Sequence, residues 1–119
     1  MEQYGKFIEK FDPIKFNADE WDRIASDAGM KYIVITSKHY DGFLLFNSNY
    51  TDYDIMSTPF QRDILDELAK ACCKCGLKIC WYHSIMDWHH PDYLPRRNWE
   101  MNRKTEGADF NCYVIYMKN

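Results

Sequence analysis

The chain has no apolar run approaching the roughly 20 residues that a bilayer-spanning helix needs, and residues 1–10 are polar and charged rather than built as a signal peptide. A basic excess is missing as well. The formal charge is −3, without the cationic patch that nucleic acid requires, so neither a nucleic acid nor another polyanion is expected as partner. There is no G-x-G-x-x-G turn and no H-x-H or H-E-x-x-H spacing, which argues against a dinucleotide-binding sheet and against a histidine-built metal centre. Disorder signatures are absent too, because 46% hydrophobic and 17% aromatic residues over 119 positions supply ample core material.

Cysteine is present, but in an odd number. The five lie at Cys72, Cys73, Cys75, Cys80 and Cys112, three of them in one predicted helical turn, which makes a poor disulfide framework and fits a reducing setting. Cys72-x-x-Cys75 has redox-motif spacing, yet it falls at a helix end before Gly76, where the helix dipole raises a thiol pKa. A zinc site would need a second matched pair, and only Cys80 and Cys112 remain. The cysteines are expected to be small core-filling residues.

The hydrophobic pattern alternates between two periods. Asn17-Ala18-Asp19-Glu20 has the form of a capping box, followed by Trp21, Ile24, Ala25 and Ala28 at one-face helical spacing and a stop at Gly29. The run 31–37 is β-branched and aromatic without clean alternation, as in a parallel strand buried on both faces. A long polar segment from His39 to Ser57 leads to Thr58-Pro59-Phe60-Gln61, which resembles a second capping box with proline at the first helical position. Ile64, Leu65, Leu68, Ala69, Cys72 and Cys75 then mark a helix ending at Gly76, and 77–83 reads as a second strand. From Ser84 to Gly107 the chain is irregular, with Pro91 and Pro95 opposing a continuous helix. Phe110, Tyr113, Val114 and Met117 open a third.

Helix, strand, loop, helix, strand, loop, helix is the alternation of βα units around a parallel sheet. Both loops are long and neither is glycine-rich, which favours a barrel over a doubly wound sheet. Two strands cannot complete a barrel, so the fold class expected is α/β, part of an incomplete (β/α)8 TIM-like barrel, with 1–119 a piece of one domain.

The strand ends carry the polar chemistry: Lys38, His39, Tyr40 and Asp41 after the first, and Tyr82, His83, Asp87, His89, His90 and Asp92 after the second. A metal-dependent hydrolase is one reading, with His39, His83 or the His89-His90 pair as ligands. Adjacent histidines on an extended segment point to opposite sides, which disfavours a shared ion. Sugar chemistry is the other, with aromatic rings packing on a pyranose and polar groups taking its hydroxyls. Retaining glycoside hydrolysis needs two carboxylates roughly 5–5.5 Å apart. Asp41 and Asp87 would be the candidates, although each also suits a loop cap.

From Phe11 to Tyr93 the chain resembles the α-L-fucosidases of glycoside hydrolase family 29. The resemblance runs through Phe11-Asp12-Pro13, Glu20-Trp21, Asp27-Ala28-Gly29, Lys31-Tyr32, Thr36 to Phe43, Thr51-Asp52-Tyr53, Pro59, Arg62-Asp63-Ile64, Gly76-Leu77-Lys78 and Tyr82 to Tyr93. It implies a (β/α)8-like barrel that removes terminal α-L-fucose from a fucosylated glycan with retention, without metal or organic cofactor. It also implies a periplasmic or secreted parent enzyme. The family's Lys-His-His-Asp-Gly-Phe motif stands here as Lys38-His39-Tyr40-Asp41-Gly42-Phe43, so His39 matches the first fucose-contacting histidine and Tyr40 replaces the second. A phenol hydrogen-bonds but cannot become cationic near neutral pH. Phe46 stands where the family places a tryptophan beside fucose, and Tyr82-His83-Ser84-Ile85-Met86-Asp87-Trp88 stands for Tyr-Tyr-Ser-x-x-Asp-Trp. The substrate contacts implied are His39, Tyr40, Phe46 and Tyr82, with His83 and Trp88 secondary. The family's nucleophile and acid/base carboxylates are expected beyond Asn119, so no catalytic residue is assigned within the chain. The rival from another class is a non-catalytic carbohydrate-binding or scaffold remnant of the same barrel.

Overall fold

The computed structural model describes residues 5–94 and 106–118. A 3-10 helix, Lys6–Lys10, leads into α1 (Ala18–Asp27), where the Asn17 side chain accepts the Glu20 N–H at 3.1 Å as the expected N-cap. Its buried stripe differs from expectation. Trp21 and Ile24 are 50% and 52% exposed, while Ala18, Asp22 and Ala25 are buried. Small side chains at 18 and 25 let α1 approach α2 (Ile64–Cys75) closely, and Ala18 joins Ile64, Leu68 and Ala71 in the core.

The second helix starts later than the Thr58 pattern suggests. Thr58 ends a separate 3-10 turn, Ile55–Ser57, by donating its hydroxyl to the Ile55 carbonyl at 2.6 Å. Gln61 then takes a left-handed φ of 46°. Asp63 is the cap of α2, its carboxylate accepting the Asp66 N–H at 2.9 Å. Ile64, Leu65, Leu68, Ala71 and Cys72 are buried, whereas Ala69 is half-buried and Cys75 exposed. Gly76 closes the helix in the left-handed conformation, as expected.

Core filling therefore holds for Cys72 alone; Cys73, Cys75, Cys80 and Cys112 are exposed. Burial and then the Asp22 carboxylate push the Cys72 thiol pKa up, and Asp22 is the leading cause of the rise at Cys75. The direction is the one expected from the helix dipole, but a neighbouring carboxylate and burial produce it.

Strands β1 (Tyr32–Lys38) and β2 (Lys78–His83) pair in parallel, Tyr32 opposite Lys78 and Thr36 opposite Tyr82, with a register irregularity between Thr36 and Lys38. Ile35 and Ile79 pack on the core cluster. Tyr32 and Val34, on the other face, are 61% and 57% exposed. Burial of β1 on both faces is thus corrected for the described residues, because the helices cover one face only. Helix α3 (Phe110–Lys118) follows the second loop; Pro91 lies in that loop, and Pro95 lies outside the described residues.

The loop after β1 is held by a buried carboxylate. Asp54, 3% exposed, accepts backbone N–H groups from Ser48 at 3.0 Å, Met56 at 3.0 Å and Ser57 at 3.3 Å. Asp54→Ala leaves all three donors without their acceptor and is expected to lower unfolding stability by about 2 kcal/mol. Urea denaturation checks this, and a loss under about 0.5 kcal/mol would mean that water replaces the carboxylate freely.

Candidate functional site

Parallel pairing brings the C-terminal ends of β1 and β2 side by side, so both polar loops leave the sheet at one place. Beneath them sits an ion pair that is fully shielded. Lys38 Nζ, 0% exposed, donates to Asp87 Oδ2 at 2.9 Å and to the Tyr113 hydroxyl at 3.0 Å, with Met117 Sδ at 3.3 Å. It also lies 5.3 Å from the centre of the Tyr113 ring and 5.4 Å from that of Tyr116. The Tyr113 hydroxyl donates in turn to the Ile85 carbonyl. Burial foremost, and then the Asp87 charge, push both the Tyr113 and the Tyr116 phenols well up, so both stay protonated.

Asp87 Oδ1 accepts the His89 N–H at 2.8 Å and the His90 N–H at 2.7 Å. Asp41 Oδ1 accepts the Phe43 N–H at 3.2 Å. Both carboxylates therefore serve as loop caps in this geometry. Asp87 has both oxygens engaged, an arrangement unsuited to nucleophilic attack.

The six candidate sugar contacts divide into two groups. On one side of the sheet the rings of His39 and Tyr40 lie 4.2 Å apart, those of His39 and Tyr82 6.0 Å, and those of Tyr40 and Trp88 5.5 Å. The Trp88 backbone N–H donates to the Tyr40 carbonyl at 2.7 Å, which ties the second loop to the first. Hydrogen bonding to the Tyr40 phenol holds the Tyr82 phenol above its ordinary pKa, so Tyr82 remains a neutral donor and acceptor. His83, next along β2, faces the other way by strand alternation and lies 6.5 Å from Phe46, ring to ring. Its Nδ1 is 2.8 Å from Ser37 Oγ. Burial, and then the Lys38 cation, hold the His83 imidazole below its ordinary pKa, so it is neutral near pH 7.

Lys38, Tyr113 and the Asp87 pairing are what reading the sequence alone did not assemble. Lys38 stands in a strand-end motif, but nothing local ties it to a tyrosine 75 positions later. Among the described residues no group of three or more His, Cys, Asp or Glu side chains is placed to hold a metal ion, and no helix is long and apolar enough to cross a membrane.

Comparison with known proteins gives this arrangement a family. The α-L-fucosidase family model matches residues 1–118. The α-L-fucosidase of Dictyostelium discoideum is 36% identical over 104 residues, 87% of this chain and 23% of that protein. Human tissue α-L-fucosidase is 35% identical over 95 residues, covering 76% of this chain and 20% of its own length. Among solved structures, α-L-fucosidase isoenzyme 1 from Paenibacillus thiaminolyticus superposes with a TM-score of 0.89 at 43% identity, over 98% of this chain and 29% of that one. A family 29 α-L-fucosidase from Bacteroides thetaiotaomicron, trapped as a covalent intermediate with 2-fluoro-fucosyl fluoride, gives 0.85 at 36% identity, over 99% and 26% respectively. The chain thus spans about a quarter or less of the curated relatives named and slightly more of the solved structures. With the match running through the motif at Lys38 to Phe43 and the segment from Tyr82 to Tyr93, the chain belongs to the α-L-fucosidases of glycoside hydrolase family 29.

Proposed function

We propose that this chain is part of the catalytic barrel of a retaining α-L-fucosidase, contributing side chains that bind fucose and neither of the two catalytic carboxylates. The observation that carries this reading is the His39, Tyr40, Tyr82 and Trp88 cluster at the C-terminal ends of two adjacent parallel strands. In barrel enzymes that end of the sheet holds the active site. His39 and Tyr82 supply hydrogen bonds to fucose hydroxyls, and the aromatic faces take the apolar side of the sugar. Tyr40 supplies a hydroxyl where the family's second histidine would stand, a group that donates and accepts a hydrogen bond but has no imidazole nitrogen to protonate. Phe46 and His83 stand near the same strand ends on the other face of β2. Asp41 and Asp87 keep to their loops and to Lys38.

The test uses the intact polypeptide that contains this chain. His39→Ala is expected to lower kcat/KM for a nitrophenyl α-L-fucoside by about 30- to 150-fold, the loss of a polar contact to a desolvated substrate. A change under about threefold would remove His39 from the pocket.

A further inference from the structure

A cavity of about 380 Å³ opens between the end of β2 and the start of α2, lined by Ser37, Phe46, Asp63, Asp66, Trp81 and His83. Trp81 and His83 alternate with Tyr82 along β2, so this cavity and the His39 cluster occupy opposite faces of the strand. Its hydrogen-bonding character follows from one hydroxyl. Ser37 Oγ lies 3.1 Å from the Tyr82 carbonyl, which can only accept, so the single hydroxyl proton is directed there. Toward His83, 2.8 Å away, the same oxygen must therefore accept. That places the imidazole proton on Nδ1 and leaves Nε2 as a bare acceptor with no hydrogen-bond partner among the described residues.

The carboxylates sort in the same way. Asp63 spends both oxygens on backbone, accepting from Asp66 N–H at 2.9 Å and Asn47 N–H at 2.8 Å. Asp66 gives Oδ2 to Lys70, and its Oδ1 has no partner among the described residues. The cavity thus presents two unfilled acceptors, a 46% exposed indole and a phenyl ring, and no cationic side chain lines it. Without a cationic side chain on the wall, and with the Asp66 carboxylate there, an anion is disfavoured. A ligand with several hydroxyl donors and one apolar face meets both acceptors and both rings, beside the apolar Leu65.

We propose that this cavity is a second carbohydrate site, taking an uncharged pyranose that packs on Trp81 and Phe46 and donates hydroxyls to His83 Nε2 and Asp66 Oδ1. It takes Phe46 and His83 out of the set of fucose contacts, since they lie across β2 from His39, Tyr40 and Tyr82, and it is independent of turnover.

The test is a titration of the intact polypeptide with methyl β-D-galactopyranoside, a neutral hexoside that is not a fucoside, followed by NMR of the Trp81 indole and the His83 ring. Saturable shifts at both are expected. Trp81→Ala, which removes the platform, and His83→Phe, which keeps an aromatic ring but removes the acceptor, should each weaken binding about tenfold. His39→Ala should leave it within about twofold, as a site on the opposite face. Signals that stay still under sugar overturn the proposal, as does binding that survives both cavity variants. Shifts produced by propylammonium chloride but not by the hexoside overturn the sugar assignment in favour of an organic cation. Failure of the fucosidase reading would show only in hydrolysis of the nitrophenyl fucoside, so the two outcomes are read separately.

Discussion

Lys38→Met is expected to cost about 3–5 kcal/mol of unfolding stability, because it strands a buried carboxylate. The ammonium group has three hydrogens and three neighbours: Asp87 Oδ2, the Tyr113 hydroxyl and Met117 Sδ. Methionine fills much the same volume without the charge, so the loss reports electrostatics rather than a cavity. Asp87 is 1% exposed and keeps only its two backbone donors once the lysine is gone. Desolvation without a counter-charge is the large term, as it is whenever one member of a buried pair is removed. The double variant Lys38→Met with Asp87→Asn should therefore recover about half of the loss, since asparagine still offers an acceptor to His89 and His90. Urea denaturation of the two single variants and the double one closes the cycle. A single-variant loss below about 1 kcal/mol would mean that water reaches the pair.

This network is also where reading the sequence runs out. Asn17 and Gly76 were legible because caps are local: a short polar oxygen in reach of the first free N–H groups, and a residue without Cβ where the chain turns left-handed. The two strands and their shared end were legible from residue type and flanking turns. The phase of α1 was not, since Trp21 and Ile24 make an apolar stripe as plausible as the one that is buried; the small Ala18 and Ala25 prevail only because α2 lies close. Thr58-Pro59 has every mark of a helix start, yet the left-handed turn at Gln61 hands the cap to Asp63. Within the candidate site, period-two alternation alone separates Tyr82 from His83, a signal present in the sequence and outweighed by the motif as a whole. The Lys38 to Tyr113 contact has no such signal, because periodicity carries no information about partners in different elements.

Gly42→Ala is expected to be the most damaging single-methyl change in the chain, about 3–5 kcal/mol, for two reasons that a control separates. Its φ is 81°, a conformation that costs an L-residue about 1–2 kcal/mol. A Cβ there would also stand 2.6 Å from Asp87 Oδ1 and 2.8 Å from the His89 Cβ. The carboxylate cannot swing aside cheaply. Oδ1 is held by the His89 and His90 N–H groups and Oδ2 by Lys38, so relief of the clash breaks a buried ion pair or a loop cap. Gly29 has nearly the same φ, 74°, with nothing within 4 Å of its added Cβ. Gly29→Ala therefore measures the backbone cost alone, about 1 kcal/mol, and the excess at Gly42 measures the close approach between the two loops. Equal losses at the two positions would show that the loops yield freely. Unequal losses would carry a functional consequence as well. The Gly42 N–H closes the turn on the His39 carbonyl at 3.1 Å, and Trp88 bonds the Tyr40 carbonyl at 2.7 Å, so spreading the loops moves His39 and Tyr40 away from Trp88. In the intact polypeptide, Gly42→Ala should then lower kcat/KM for an aryl α-L-fucoside beyond what its residual folded fraction explains, while Gly29→Ala, far from these contacts in the sequence and free of steric conflict, should leave it unchanged.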